Sequence, residues 1–81
     1  MLISLTVIPS SYKDPHVNPI ANALREKLSI KREDQVEVWK DEIFLVYQGR
    51  FYHSLYNSEK FYRTLQDKPR SLRLNFKPHQ A

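Results

Sequence analysis

The stretch that decides the fold is residues 36–55, which read VEVWKDEIFLVYQGRFYHSL. Its apolar side chains recur with a period of two, which is typical of strands, and two short polar interruptions divide it. Gln48 and Gly49 are predicted to form a two-residue hairpin turn, because glycine tolerates the positive φ that such turns require. The stretch therefore predicts three consecutive antiparallel strands, at residues 36–39, 43–47 and 51–55.

The turns also assign these side chains to the two faces of the sheet, since residues paired across a hairpin share a face. A two-residue turn pairs Val46 with Phe51 and Phe44 with His53, and an even-length turn around Asp41 adds the preceding strand. One face is then aliphatic and the other mainly aromatic. The predicted aliphatic face holds Val36, Val38, Ile43, Leu45 and Tyr47, and the predicted aromatic face holds Trp39, Phe44, Val46, Phe51 and His53. A one-residue change in either turn would exchange the faces.

The flanking sequence predicts two helices. Asn18 is a good cap and Pro19 fits the first helical position, so a helix is expected over 19–29. Its buried stripe is predicted to be Ile20, Leu24 and Leu28. A second helix is expected from a cap at Asn57 or Ser58, with Tyr56 and Phe61 spaced as a hydrophobic staple, and it should end before Pro69.

Two further strands are predicted at 2–8 and 71–77, where apolar and polar side chains alternate. Pro78 is expected to stop the last strand and to leave residues 78–81 as a frayed tail. The resulting order, β-α-β-β-β-α-β, predicts one α+β domain spanning residues 1–81. We expect a two-layer sandwich, with a mainly antiparallel sheet and both helices on one face.

This order resembles the ferredoxin-like plan with one extra strand, and its α-β-β-β-α section resembles the double-stranded-RNA-binding plan. Both resemblances concern topology alone, and a fold does not fix a function. Two short helices can cover only one face of such a sheet, and the aliphatic face matches their apolar stripes better. The open face is then predicted to present Trp39, Phe44, Phe51, His53, Arg73 and Lys77. The alternative is that a helix or a second copy of the chain covers the rings.

Positive charge is concentrated in the last third of the chain. Of 13 basic and 9 acidic residues, seven of each lie within residues 1–56, so the whole net charge of +4 belongs to residues 57–81. The basic residues there are Lys60, Arg63, Lys68, Arg70, Arg73 and Lys77. Such asymmetry favours an anionic partner such as RNA or DNA, and ordinary solubilising charge is the alternative.

Several classes of protein are excluded or disfavoured by composition. The chain has no cysteine, which excludes disulfides and cysteine-based zinc sites. His16, His53 and His79 lie far apart in the sequence, so neither a metal site nor a cofactor is predicted. No apolar run is long enough to span a bilayer, and the N-terminus lacks the basic region of a signal peptide. We therefore expect no membrane partner and a cytoplasmic location, or the host cytoplasm for a viral protein.

Three functions remain, and the first is preferred. It is a small, non-enzymatic module that contacts nucleic acid through the basic C-terminal third and the aromatic face, although the RNA-recognition signature is absent. Its predicted site consists of Trp39, Phe44, Phe51, His53, Lys60, Arg63, Arg70, Arg73 and Lys77. The second is a protein-interaction module, either a homodimer or a small inhibitor or regulator that docks a partner protein. The third is a small RNase or toxin that uses His53 for acid–base chemistry.

Overall fold

The computed structural model describes residues 1–11 and 14–79 as an α+β domain in which every strand pairing is antiparallel. The strands are β1 Leu2–Val7, β2 Val36–Val38, β3 Glu42–Tyr47, β4 Arg50–Leu55, β5 Arg70–Asn75 and β6 Lys77–Pro78. The helices are α1 Pro19–Leu28 and α2 Ser58–Thr64, with a 3-10 turn at Glu33–Gln35 before β2. The two-layer α+β class predicted from the sequence is confirmed.

The β3–β4 hairpin has the predicted turn and register. Gln48 and Gly49 both have positive φ, 53° and 75°, as a turn of type I′ requires. Phe44 is paired with His53 and Val46 with Phe51. The prediction of which side chains share a face is therefore confirmed for this hairpin.

The connection between β2 and β3 is also of even length. The backbone N–H of Trp39 donates to the carbonyl of Glu42 at 2.8 Å, which leaves two residues between them. Val38 is paired with Ile43, so both side chains lie on the aliphatic face. The centre of that face is covered, since Ile43 and Leu45 are 0% exposed, while Tyr47 at its end is half-buried.

The strands form two sheets, whereas the sequence predicted one. β1 and β5 form a two-stranded sheet, and the other sheet has the order β2-β3-β4-β6. The predicted last strand, 71–77, is interrupted at Phe76, where the chain passes from one sheet to the other. The Phe76 side chain is completely buried, and its backbone N–H donates to the Met1 carbonyl at 2.7 Å. The pairing of Phe76 with the N-terminus therefore fixes this crossing point.

The prediction that Pro78 ends strand pairing was wrong. Pro78 is paired with Tyr52 in β6, and the His79 N–H donates to the Phe51 carbonyl at 2.9 Å. Proline is tolerated here because β6 is an edge strand, and the missing backbone N–H of Pro78 is not needed to bond a further strand. The rest of the predicted tail, residues 80 and 81, lies outside the described part of the chain.

The core lies between the aliphatic face, the inner side of β1 and β5, and the helices. α1 packs against β1 and β2 and so joins the two sheets. Of its predicted stripe, Ile20 and Leu24 are fully buried, while Leu28 is half-buried at the end of the helix. The buried apolar residues are Ile3, Leu5, Val7, Ile20, Ala21, Leu24, Val36, Val38, Ile43, Leu45, Phe61, Leu65, Leu72, Leu74 and Phe76.

Both helices begin at the predicted caps. The Asn18 side chain accepts a hydrogen bond from the Ala21 N–H at 2.8 Å. The Asn57 side chain accepts from the Lys60 N–H at 3.0 Å and caps α2. The ring of Tyr56 lies 6.4 Å from that of Phe61, which confirms the hydrophobic staple. In the described residues neither helix has the length and apolar character that crossing a membrane requires.

Candidate nucleic-acid interface

The aromatic face of the four-stranded sheet is open to solvent over much of its area. Phe51 is 61% exposed and Trp39 is 49% exposed. Phe44 and His53 are half-buried on the same face. Both helices thus leave this side largely uncovered, as the sequence predicted.

His79 covers part of this face, and sequence reasoning had missed it. Its ring meets the rings of Phe44 and His53 edge-on, with centroid separations of 5.8 Å and 5.0 Å. The Nδ1 atoms of His53 and His79 are only 3.0 Å apart. The alternation of Lys77 and His79 across Pro78 is the sequence signal for this placement, but a proline ordinarily predicts the end of a strand.

A first depression lies on the outer side of β1 and β5, with a volume of about 530 Å³. Ser4 is paired with Arg73, and Thr6 with Ser71, so hydroxyl groups and a guanidinium stand side by side there. Lys27 of α1 adds a second cation to its lining. Among the residues that the structure describes, no acidic one lines this depression, so it suits an anionic group.

A second depression, of about 380 Å³, lies between β4 and β5 and also contains Arg73. Its other polar lining residues in the described part of the chain are His53, Ser54, Tyr56, Asn75 and Lys77, and none of these is acidic. Burial raises the pKa of the Tyr56 phenol above its ordinary value. Arg73 therefore joins two neighbouring depressions that contain cations and neutral donors.

The other predicted basic site residues lie outside these two depressions, and two of them bond to other groups of the protein. Arg63 donates to the Glu59 carboxylate at 2.9 Å, and Arg70 donates to the Thr64 carbonyl at 3.0 Å. Lys60 is exposed on α2. None of the three lines either depression. Of the predicted basic site residues, the structure brings together only Arg73 and Lys77.

Trp39 belongs to the opposite edge of the four-stranded sheet from Lys77. Its indole N–H donates to a Glu37 carboxylate oxygen at 3.1 Å. It also lines a cleft of about 490 Å³ near α2, in which acidic and basic side chains are mixed. The lining there includes Asp14, Lys40, Glu59, Tyr62 and Arg63. Because this cleft carries both signs of charge, it has no preference for a polyanion.

The open face is therefore divided by charge. Asp34 and Glu37 line a depression of about 300 Å³ together with Phe44, Phe51 and His79. β2 and β6 form opposite edges of this sheet, so negative charge lies towards β2 and positive charge towards β6. A phosphate backbone would be attracted to the β6 side only.

No protein-family model, curated protein or solved structure matches this chain at a significant level.

Proposed function

We propose that this protein binds nucleic acid by holding the phosphate backbone along Arg73. The observation that carries the proposal is that Arg73 joins two depressions whose described lining residues include no acidic one, and Lys27 and Lys77 add further cations to them. Phosphate oxygens are typically bound by lysine and arginine together with hydroxyl and amide donors. The linings of these depressions contain each of those groups.

The neighbouring rings favour a single-stranded ligand. Lys77 is paired with His53, and this pair places a cation beside the open aromatic face. Phe51 has a largely exposed ring on that face, and stacking a base on such a ring contributes about 1–3 kcal/mol. A backbone held by Arg73 and Lys77 would bring its bases towards these rings.

The test is to bind the protein to labelled single-stranded RNA and DNA over a salt series. Arg73→Gln is expected to weaken binding and to lower the slope of log affinity against log salt by about 0.7, the value for one lost phosphate contact on a single strand. Lys60→Gln is the matched control, because it removes the same charge from a site outside both depressions. Equal losses in the two variants, or an affinity that does not depend on salt, would contradict the proposal.

A second candidate is a protein-interaction module that docks a partner, or a second copy, on the same open face. The observation that favours it is the apolar pair Phe51 and Leu55, which share one side of β4 and are 61% and 76% exposed. Light scattering should then show a dimer, and Phe51→Ser should dissociate it, while Arg50→Ser on the other side of β4 should not. A monomeric protein would exclude the homodimer.

The third function, RNA cleavage through His53, stays a prediction. The only described partner of the His53 ring is another imidazole. Acid–base catalysis needs a free ring nitrogen within hydrogen-bond reach of the reacting atom. His53→Ala with undiminished cleavage would end this hypothesis.

A further inference from the structure

Two histidines that are 26 residues apart in the sequence direct the same ring nitrogen at each other. The Nδ1 atoms of His53 and His79 are separated by 3.0 Å, and their rings are inclined at 83°. We propose that this pair is a two-nitrogen binding site for a divalent transition-metal ion of the Cu²⁺ or Ni²⁺ type. The proposal goes beyond nucleic-acid binding and does not depend on it.

The separation of the two nitrogens matches what chelation requires. Histidine nitrogens bind such ions at about 2.0–2.1 Å, and two nitrogens 3.0 Å apart then subtend about 94° at the ion. This angle is close to the right angle of square-planar and octahedral coordination and smaller than the tetrahedral one. Tetragonal nitrogen sites favour Cu²⁺ and Ni²⁺, whereas Zn²⁺ prefers a tetrahedral arrangement.

The two rings are already held in position before an ion arrives. His53 lies within β4, opposite Lys77. His79 is fixed by its backbone hydrogen bond to the Phe51 carbonyl, and its ring meets Phe44 edge-on. In the free protein one Nδ1–H donates to the other Nδ1, and when the ion binds, that hydrogen moves to Nε2 of the same ring so that both Nδ1 lone pairs reach the ion. Little further ordering is therefore needed for binding.

The surroundings allow a partly hydrated ion. His79 is exposed, so an ion can enter from solvent and keep its other ligands as water. Lys77 disfavours a cation, but Glu37 shares the depression that His79 lines and offsets that charge. Within residues 1–11 and 14–79 no group of three or more potential side-chain ligands is close enough to hold a metal. The site thus contributes two ligands and leaves the others open.

An ion at this site would fasten the end of β6 to β4, because its two ligands belong to these different segments. Binding to the folded form alone raises stability by mass action. At a free ion concentration one hundred times Kd, the melting temperature of a domain this size should rise by about 10–20 °C.

The experiment combines Cu²⁺ titration calorimetry with Ni²⁺ broadening of backbone amide NMR signals on the full chain. Broadening is expected to centre on His53 and His79. His53→Ala and His79→Ala should each lower Cu²⁺ affinity at least about tenfold, the smallest loss expected for a ligand when outer-shell changes already cost 10–100-fold. His16→Ala is the control and should bind as the parent does, since the His16 Nδ1 contacts the Val36 carbonyl instead.

His79→Ala decides the outcome, because an exposed side chain near the end of the described chain can be removed without disturbing the core. Its melting temperature without metal should stay close to that of the parent, and the increase caused by Ni²⁺ should be lost. Unchanged Cu²⁺ affinity in His79→Ala would overturn the proposal. So would broadening centred on His16 or on the N-terminal amine.

Discussion

The two faces of the β3–β4 hairpin are both apolar, yet they have opposite environments. Ile43 and Leu45 are completely buried, while Phe44 and Val46, each one position further along, are only half-buried, and Phe51 is 61% exposed. The two faces differ in whether other helices and strands pack against them. The apolar stripe of α1 and the inner side chains of β1 and β5 pack on one side only.

Apolar character alone therefore does not determine burial. Burying a large side chain contributes about 1.5–3 kcal/mol, but only where another element supplies the covering surface. The domain has two short helices and one two-stranded sheet for that purpose, and they are used on the aliphatic face. The rings on the other face are left available for a ligand or a partner.

The largest expected effect comes from breaking the buried face. Leu45→Ala should lower the free energy of unfolding by about 2–5 kcal/mol, because it removes a side chain with no solvent exposure and leaves a cavity. Urea denaturation followed by circular dichroism measures this loss. Ile43→Val, which removes one methylene from the same face, should lower the free energy of unfolding by about 0.5–1.5 kcal/mol. This milder variant provides the measurement if Leu45→Ala does not fold.

The matching change on the open face should separate stability from binding. Phe51→Ala is expected to change the free energy of unfolding by less than about 1 kcal/mol, since the ring is mostly in solvent. The same variant should lose about 1–3 kcal/mol of affinity for single-stranded oligonucleotides if bases stack on this ring. A stability loss as large as that of Leu45→Ala would show that the two faces do not differ as described.

The sequence predicted this difference because the determinants are local. Gly49 fixes the turn, the turn fixes the register, and the register fixes the faces. The caps at Asn18 and Asn57 are local in the same sense, since each bonds an N–H three residues ahead. The predictions of this turn, its register and the two caps were therefore confirmed, whereas the expected effect of Pro78 was not.

The division into two sheets has a non-local cause and could not be predicted in this way. Phe76 pairs with the first residue of the chain, and the alternation of residues 71–77 contains no sign of that contact. His79 was missed for a related reason, because its ring partners lie on β3 and β4.

The candidate site shows the same limit. Arg73 and Lys77 were found through their place in an alternating basic strand. Lys27, Ser4 and Thr6 line the same depression as Arg73 only because α1 packs against β1 and β1 pairs with β5, so the composition of this lining appears only in three dimensions.

A smaller effect is expected from the turn that keeps the faces apart. Gly49→Ala should cost about 1 kcal/mol, because Gly49 has a φ of 75° that residues with a Cβ rarely adopt. An added Cβ would meet no other atom within 4 Å, so the cost should arise from the backbone alone. Gln48→Gly is the control, since it relieves the other positive φ and should not destabilise the fold. Thermal melts of the two variants measure the difference, and a Gly49→Ala protein as stable as the parent would argue against this turn.

The smallest effect concerns charge at the acidic side of the open face. The hydrogen-bonded Arg32 guanidinium lowers the pKa of Asp34 below its ordinary value. The stabilising effect of this ion pair is therefore complete above the pKa that Asp34 has in the unfolded chain, and it is lost as the pH falls through the lowered pKa of Asp34 in the folded protein.

Arg32→Gln should raise the pKa of Asp34, which an NMR titration of its carboxyl carbon would show. Lys31→Gln removes an equal charge nearby and keeps the hydrogen bonds. If both variants shifted the Asp34 titration equally, general charge rather than the paired guanidinium would set it. Since both partners are exposed, global stability should scarcely change.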